Sequence, residues 1–446
     1  MQNMQKEKYK HSQSFKIIIF GFLAVIILGT LLLSLSISTK DGKGAPFEDA
    51  LFTATSAVCV TGLIVYDTAT HWTIFGQAVI LTLIQIGGMG VMTIIVSIAV
   101  VTKVKIGLLP RSTMQEAISA HQIGGIVKLT KFIFKMVLLI ELIGACIMMP
   151  IFCNEFGIEK GIWYSVFHSI SAFCNAGFDL MGTKEKFSSL TSYSGNPVIN
   201  FTIMALIVIG GLGFIVWDDI VKHRTHFSKY RLQSKVVLTV TAILIVIPAL
   251  YLCIFEFQNM PMKERLLASI FQSVTPRTAG FNTIDLTLLS DTGLMIIIML
   301  MLIGGSPGST AGGMKTTTLA VLVSSVHAVF RKNDAAGMFG RRISDKTVKN
   351  AGTILIMYIA LFLLGGMIIS SKENIPILTA IFETASAIGT VGLSLGITPG
   401  LGLVSKFVLI SLMFFGRVGG LTLIFAAISK RENTNLRYPV EKIAVG

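Results

Sequence analysis

Apolar runs of about twenty residues recur along the whole chain and constrain its fold more than any other feature. The first covers residues 15–37, whereas the next run, 47–57, is far too short to cross a bilayer as a helix. Charged residues make up only 13% of the chain, against roughly 25% in a soluble domain. Because similar long runs follow it, the first is a span rather than a cleaved signal peptide. The sequence therefore predicts an all-α integral membrane protein.

Long and short runs alternate in an order that repeats four times. Each unit contains a span, a re-entrant half-helix, a glycine-containing turn and a second span. Four such units predict eight membrane spans and four re-entrant pore loops around a pseudo-fourfold pore. The predicted half-helices are 47–57, 161–172, 263–275 and 375–387. The predicted domains are an N-terminal tail (1–14), repeat 1 (15–101), a loop (102–127), repeat 2 (128–221), a loop (222–234), repeat 3 (235–330), a loop (331–348), repeat 4 (349–429) and a C-terminal tail (430–446).

The net charge of +14 is divided unevenly between the two sides of the membrane. With the spans placed in this way, one side carries 25 Lys and Arg against 8 Asp and Glu, and the other carries 10 basic and 14 acidic residues. Cytoplasmic loops of membrane proteins carry the excess of Lys and Arg. The basic side, which holds both tails, is therefore predicted to be cytoplasmic. This asymmetry accounts for the basic charge, and no motif indicates nucleic acid.

A turn with glycine at its third position follows each half-helix, and a large apolar residue follows that glycine. Backbone carbonyls that point at a common axis can replace the water around a potassium ion. Glycine permits the backbone angles that such alignment needs, and irregular backbone at membrane depth is tolerated where it lines a watery cavity. No acidic residue lies in the turns, which favours carbonyl coordination over a carboxylate ring. The predicted potassium selectivity filter consists of Val60, Thr61, Gly62, Asn175, Ala176, Gly177, Thr278, Ala279, Gly280, Thr390, Val391 and Gly392.

The half-helices would direct their negative C-terminal ends at the axis of the turns, which favours a cation there.

No other ion or cofactor site is predicted. The five cysteines show neither metal spacing nor a disulfide framework. The sequence has no nucleophile with a base and no nucleotide-binding loop, so we predict neither an enzyme nor a cofactor in this chain. A potassium ion at the filter carbonyls is the only predicted metal.

A glycine-rich segment, residues 304–315, interrupts the second span of repeat 3. Its five glycines and one proline disfavour a regular helix, so we predict an intramembrane loop below the turns. A structural kink is the alternative. Basic groups at membrane depth are usually functional or paired; Arg417 could restrict cation flow or hold this loop by hydrogen bonds, and structural pairing between helices is the alternative. The candidate functional residues of this region are Gly304, Gly305, Ser306, Gly308, Ser309, Thr310, Ala311, Gly312, Gly313, Lys315 and Arg417.

Other glycine and charged residues of the spans are predicted to be structural. Glycines recur in the second spans, beginning at Gly87, Gly210 and Gly416, where small residues let helices pack closely. Arg277 is expected to brace the third turn rather than to meet an ion. Glu141 is expected to pair with a neighbour or to face a cavity.

Over nearly its whole length the chain resembles the membrane subunit of bacterial Ktr-type potassium transporters, in the Trk/Ktr/HKT superfamily. The resemblance rests on the four turns, on residues 275–281, on the intramembrane loop and on the Gly416–Arg417 pair. In that family each turn contributes one filter glycine, and serine there is associated with sodium permeation in some plant relatives. The matching residues are Gly62, Gly177, Gly280 and Gly392. None of the turns has the second glycine of the potassium-channel pattern Thr-Val-Gly-Tyr-Gly, which implies weaker selectivity than in a potassium channel.

The resemblance also implies a function and an assembly. Potassium would enter the cell down its electrochemical gradient, with the intramembrane loop as the gate. The protein would be a homodimer in the plasma membrane of a bacterium, surrounded by lipid, with a pore in each subunit. It would assemble with a cytosolic RCK-type regulatory ring similar to KtrA or KtrC. ATP or ADP would bind to that partner, because this chain has no nucleotide-binding turn. Activation by sodium is a further implication.

Two other classes of protein are alternatives. An ion-coupled secondary transporter usually has inverted repeats and broken helices around a site at the membrane midplane. The repeats of this chain all begin on the same side, which disfavours that class. A membrane scaffold without transport would have no use for four filter-like turns. Whether transport is channel-like or coupled to sodium or protons stays open at the level of the sequence.

Overall fold

The structure, a computed structural model, describes residues 2–91, 93, 94, 96, 113–115, 125–419 and 441, with side chains from residue 16 onward. Most of the predicted loop 102–127 lies outside these residues. The end of the last predicted span, up to residue 429, and most of the C-terminal tail also lie outside them.

The described residues are mostly helical, and the predicted helical class is confirmed. The α-helices are α1 (Gln2–Leu33), α2 (Phe47–Val58), α3 (Thr68–His71), α4 (Ile74–Met89), α5 (Ile126–Phe156), α6 (Ile158–Phe173), α7 (Pro197–Leu212), α8 (Phe214–His223), α9 (Leu232–Tyr251), α10 (Met262–Val274), α11 (Asp291–Leu302), α12 (Thr316–Phe330), α13 (Asp345–Glu373), α14 (Ile377–Gly389) and α15 (Leu403–Val418). An antiparallel hairpin pairs β1 (Gly337–Met338) with β2 (Arg341–Arg342).

Four of these helices are long and apolar enough to cross a membrane. They include the segments Lys16–Leu33, Ile126–Phe156, Leu232–Glu256 and Asp345–Glu373. Their outer faces carry large exposed apolar side chains such as Phe20, Leu142 and Ile356, which are 67%, 61% and 71% exposed. Contiguous apolar surface of this kind is rare on soluble proteins, and in a bilayer it faces lipid. The chain is therefore a multi-pass membrane protein.

The second span of each unit does not form one long helix within the described residues. α4, α7 and α15 end at glycines with positive φ, namely Gly90 (82°), Gly213 (93°) and Gly419 (87°). A side chain would strain the backbone at these angles. The second span predicted for repeat 2 forms the pair α7 and α8, which is bent by 96° at Gly213. The second span of repeat 3 is split into α11 and α12 by the intramembrane loop. The number of these spans therefore cannot be read from helix length alone.

Each long helix packs against a half-helix that follows it in the chain. The pairs are α1 with α2, α5 with α6, α9 with α10 and α13 with α14. Three half-helices begin directly after a proline, at Pro46, Pro261 and Pro376. Proline suits a helix start, because its fixed φ is compatible with the first turn and its missing N–H would have no partner there. The proline therefore fixes where each of these three half-helices begins, and a glycine turn follows the end of each.

Candidate functional site

The four glycine turns share one unusual backbone conformation. In each turn, both the first residue and the glycine have positive φ, and the residue between them does not. The φ values are 57° and 92° for Val60 and Gly62, 59° and 70° for Asn175 and Gly177, 70° and 80° for Thr278 and Gly280, and 51° and 93° for Thr390 and Gly392. Positive φ is an outlier for β-branched residues such as Val60, Thr278 and Thr390. Such strain persists only where the surrounding structure holds it, and it concentrates at functional sites.

A hydroxyl side chain near the end of each half-helix holds the turn. Gly62 and Gly392 donate their N–H groups to Ser56 Oγ and Ser386 Oγ, both at 3.0 Å. Ser171 Oγ and Thr275 Oγ1 instead donate to the carbonyls that follow their turns, at 2.7 Å and 2.6 Å. These hydroxyls supply hydrogen bonds that no regular secondary structure would provide here. The sequence interpretation missed them, although their recurring distance from the glycine was a usable signal.

The four turns meet in a closed ring. A Cβ atom built on Gly62 would lie 2.4 Å from the carbonyl oxygen of Ala176 in the second turn. The same construction joins Gly177 to Ala279 O at 2.6 Å, Gly280 to Val391 O at 2.2 Å and Gly392 back to Thr61 O at 2.2 Å. Real Cβ atoms essentially never approach this closely, so only glycine fits at these positions. The structure thus brings all twelve predicted filter residues to one place.

The ring contains backbone carbonyls without protein donors. Thr61, Ala176, Ala279 and Val391 are each 0% exposed. Within the described part of the chain, no N–H or O–H group donates to their carbonyl oxygens. A buried carbonyl usually has a partner, because leaving it unpaired costs free energy. Oxygens of this kind, arranged in a ring, can coordinate a dehydrated cation.

The intramembrane loop folds back on itself between α11 and α12. Its ends meet where Gly304 N donates to Met314 O at 2.7 Å. The loop is also hydrogen-bonded to the break between α7 and α8, since Ser306 N donates to Gly211 O at 3.0 Å and Phe214 N donates to Gly308 O at 2.7 Å. The loop therefore packs against the bend between α7 and α8 of the second unit.

The intramembrane loop also contacts the ends of two half-helices. Thr310 Oγ1 donates to Phe173 O at 3.1 Å, at the C-terminus of α6. A Cβ on Gly312 would lie 2.1 Å from Thr390 Oγ1, and one on Gly313 would lie 2.9 Å from Gly389 O. The glycines of the loop therefore let its backbone lie directly against the end of α14 and the fourth turn, whereas the Thr310 side chain connects the loop to the end of α6.

Two cations contact the intramembrane loop. Arg417 donates from Nη1 to Thr310 O in the loop, and from Nη2 to Gly87 O and, at 3.1 Å, to Gly88 O in α4. Lys315 Nζ donates to Ala311 O at 2.9 Å and to Gly312 O at 3.1 Å, within the loop itself. Among the described residues, neither cation has a carboxylate partner. The contact with Thr310 O matches the predicted hydrogen bonding to the loop, and the contacts with Gly87 O and Gly88 O match the alternative of structural pairing between helices.

Asn175 connects three parts of the site. Its Nδ2 donates to Arg277 O and to Thr278 Oγ1, both at 3.3 Å, in the third turn. Its Oδ1 accepts from Thr310 Oγ1 of the intramembrane loop at 3.2 Å. Asparagine also tolerates positive φ better than most residues. The sequence placed Asn175 in the filter for its backbone, and only the structure gives its side chain a connecting role.

The other charged residues near the site have structural partners. Gln85 Nε2 donates to Glu141 at 3.0 Å, so the expected neighbour of Glu141 is an amide. Arg277 is buried, and its Nη2 donates to Thr241 Oγ1 at 3.2 Å on α9. This contact is consistent with the expected bracing role.

The ring of carbonyls, the ends of the half-helices and the interrupted spans together define a transport protein for cations. Comparison with known proteins supports this class. The model of the family "TrkH: Cation transport protein" matches residues 2–437. The chain therefore belongs to the TrkH cation transport family, and the resemblance to Ktr-type membrane subunits is confirmed. It is 43% identical to "Potassium/sodium uptake protein NtpJ" of Enterococcus hirae over 99% of both chains. It is 41% identical to "Ktr system potassium uptake protein B" of Bacillus subtilis, over 97% of this chain and 96% of that protein.

A solved structure shows the same fold. The potassium transporter TrkH from Vibrio parahaemolyticus superimposes with a TM-score of 0.70, covering 92% of this chain and 84% of that chain at 19% identity. Because the relatives are ion transporters, this chain is a transporter and not an enzyme.

Proposed function

We propose that this chain takes up potassium through the ring of glycine turns, which acts as the selectivity filter. The single observation that carries the proposal is the closed ring in which Gly62, Gly177, Gly280 and Gly392 each contact a carbonyl of the next turn. Carbonyl rings replace the hydration shell of potassium in known filters. The names of the relatives, which include potassium uptake and potassium/sodium uptake, support this choice of ion.

The half-helices support a cation rather than an anion. α2, α6 and α14 end within two residues of the first turn residue, so their C-terminal ends point toward the ring. The C-terminus of a helix carries partial negative charge, which favours a cation nearby. No carboxylate belongs to the four turns. The potassium ion would therefore be held by backbone dipoles, and no cofactor is needed in this chain.

The intramembrane loop is proposed as the gate. It lies against the second and fourth turns through Thr310, Gly312 and Gly313. Arg417 binds its backbone from α15, and the loop carries small side chains that a moving backbone can displace. Movement of the loop would break these hydrogen bonds and open the path below the filter.

The proposed topology has four repeats and eight spans, with both termini in the cytoplasm of a bacterial cell. The excess of Lys and Arg on one side supports this orientation. The name of the Bacillus subtilis relative, a Ktr system protein, supports a cytosolic partner. We propose that this partner is an RCK-type ring that binds ATP or ADP, that the membrane subunit forms a homodimer, and that sodium activates uptake.

The filter proposal is tested by potassium and sodium flux into liposomes that contain the purified chain, with and without the partner. The variant is Gly392→Ser, whose Cβ would lie 2.2 Å from Thr61 O. We expect the preference for potassium over sodium to fall roughly tenfold, which corresponds to ~1.4 kcal/mol.

Gly396→Ser is the matched control. Gly396 has a similar φ of 86°, but a Cβ there meets nothing within 4 Å. It therefore reproduces the backbone strain without entering the ring, and it should keep the wild-type preference. Equal flux of both ions in the wild type, unchanged by Gly392→Ser, would refute the filter and favour a coupled transporter.

A further inference from the structure

A basic cavity lies on the proposed cytoplasmic side, away from the glycine turns and the intramembrane loop. Its volume is about 590 Å³. One wall is the segment that precedes and begins α9, and the other is the β1–β2 hairpin. The basic residues that line it are Lys229, Arg231, Lys235, Arg341 and Arg342.

The cavity has surplus positive charge. Arg231 lies 3.7 Å from Asp218 and 3.5 Å from Asp219, and Arg342 lies 3.9 Å from Asp345. Within the described ranges, the other three cations of the cavity have no carboxylate partner. The first turn of α9 contains no acidic residue, so the positive end of its helix dipole adds to the field. The ligand that fits this cavity is an anion.

The cavity lies at the level of lipid headgroups. It surrounds the start of the apolar segment Leu232–Glu256, and Arg342 lies three residues before the segment Asp345–Glu373. A helix of 25 residues is about 37 Å long, whereas the hydrocarbon core of a bilayer is about 30 Å thick. Both segments are longer than this core and carry Lys or Asp residues near their starts, so their first residues would lie in the polar layer, where the phosphates of phospholipids are found.

An exposed aromatic ring supports the same location. The pairing of Met338 with Arg341 leaves Phe339 and Gly340 as a two-residue turn, with φ of 49° and 70°. Both central residues of such a turn need positive φ, which phenylalanine disfavours. Yet Phe339 lines the cavity, is 50% exposed, and stacks edge-on against Phe227 at 6.3 Å between ring centroids. Burial of this apolar ring against lipid would be favourable.

We propose that this cavity binds the phosphate group of an anionic phospholipid of the inner leaflet. The surplus cations would bind the phosphodiester, and the ring of Phe339 would contact the glycerol and upper acyl region. An Arg side chain can bind phosphate oxygens through two parallel hydrogen bonds. Each basic residue near an anionic lipid surface strengthens the attraction.

Both walls of the cavity are one element away from the intramembrane loop. Ser324 of α12, the helix that directly follows the loop, donates to the hairpin at 3.0 Å. On the other wall, Asp219 of α8 accepts from the backbone N–H of Arg231 at 3.1 Å. α8 begins at Phe214, whose N–H donates to Gly308 of the loop. A phosphate that bridges the walls would therefore restrain the loop from both sides, a consequence that rests on the proposed gating function.

Lipid binding is tested by native mass spectrometry of the full chain in detergent. Phosphatidylglycerol is compared with phosphatidylcholine of the same acyl chains. The variant is Arg341→Gln with Arg342→Gln, and a second variant on the opposite wall is Lys229→Gln. The matched control is Lys346→Gln with Lys349→Gln, which removes the same charge from the exposed face of the neighbouring α13.

We expect phosphatidylglycerol to bind in preference to phosphatidylcholine, and about tenfold weaker binding in the double-arginine variant. The Lys229 variant should show a smaller loss, and the control should bind as the wild type does. Equal losses in the cavity and control variants would overturn the proposal, since general surface charge would explain them. Full competition by water-soluble glycerophosphoglycerol would also overturn it and point to a free phosphate ligand. Unchanged binding in both cavity variants would also overturn the proposal and favour an acidic protein surface as the ligand of the cavity.

A flux measurement separates this inference from the proposed function. Potassium flux is compared between liposomes of phosphatidylcholine alone and liposomes that contain phosphatidylglycerol. We expect the lipid dependence to disappear in the double-arginine variant and to persist in the control. A wild-type chain that binds the lipid but conducts no potassium would refute the proposed function and leave the lipid site in place.

Discussion

Single residues of the same types, at nearly the same spacing, give the four turns their common shape. A buried phenylalanine, a hydroxyl residue and the turn glycine follow one another in each half-helix and turn. The sets are Phe52, Ser56 and Gly62; Phe167, Ser171 and Gly177; Phe271, Thr275 and Gly280; and Phe382, Ser386 and Gly392. The third set is one residue shorter between hydroxyl and glycine. The phenylalanine anchors the half-helix, the hydroxyl holds the turn, and the glycine lets the next turn approach.

Arg417 gives a prediction at the same scale. Its hydrogen bonds to Thr310 O and to α4 connect the intramembrane loop to two helices. Hydrogen bonds to charged groups contribute about 1.5–3 kcal/mol each, so their loss should release the loop. We expect Arg417→Ala to raise potassium flux in liposomes by about tenfold in the absence of the cytosolic partner.

Arg417→Lys provides the graded comparison. A lysine keeps the charge but lacks the planar fork that donates to carbonyls on two elements. Its flux should lie between those of the wild type and Arg417→Ala. Wild-type flux and wild-type regulation in both variants would show that the hydrogen bonds of Arg417 do not hold a gate.

Among the elements, the bent pair α7 and α8 positions the intramembrane loop. Gly213 has φ of 93° and ψ of 142°, a region that is essentially restricted to glycine. A Cβ there would lie 2.7 Å from Pro307 O in the loop. The bend and the contact with the loop therefore both require a residue without a side chain at position 213.

Gly213→Ala should therefore destabilise the protein by about 2 kcal/mol, because backbone strain and a steric conflict act together. The measurement is the thermal unfolding midpoint of the purified protein in detergent. Gly352→Ala is the control, since Gly352 lies inside α13 and a Cβ there meets nothing within 4 Å. Alanine favours a helix interior, so the control should be unchanged or slightly more stable. Equal midpoints for the two variants would contradict this account of the bend.

At the scale of the whole molecule, the first and last units must join for the ring to close. Lys406 of α15 lies 2.6 Å from Asp49 of α2, and the two side chains are only 13% and 8% exposed. Tyr66 also donates to Asp49, at 2.7 Å. Removing one partner of a buried ion pair leaves the other charge uncompensated. This pair therefore stabilises the contact between units that lie at opposite ends of the chain.

Asp49→Asn should lower the stability of the fold by about 3 kcal/mol while keeping an acceptor for Tyr66. Adding Lys406→Met should restore part of that loss, and a double-mutant cycle on thermal unfolding measures the coupling. Asp345→Asn is the control, because its pair with Arg342 has both side chains more than 70% exposed. Exposed pairs contribute about 0–1 kcal/mol. Additive effects of the two substitutions would show that the pair does not join the units.

The sequence by itself determined the elements of this protein. Apolar run lengths separate long helices from half-helices, because crossing a bilayer needs about twenty residues. Glycines at a recurring place after each half-helix identify the turns, because glycine readily adopts the backbone angles that such turns need. The intramembrane loop was predictable for the same reason, as five glycines and a proline cannot form a stable helix.

Only the tertiary structure decided how these elements meet. The contact of Gly392 with Thr61 O, the partners of Arg417 and the pair of Asp49 with Lys406 join residues that are hundreds of positions apart. Local propensity carries no information about such pairs, because they depend on how the units pack around one axis. The bend at Gly213 belongs to the same class, since glycine permits the angle and the contact with the loop selects it.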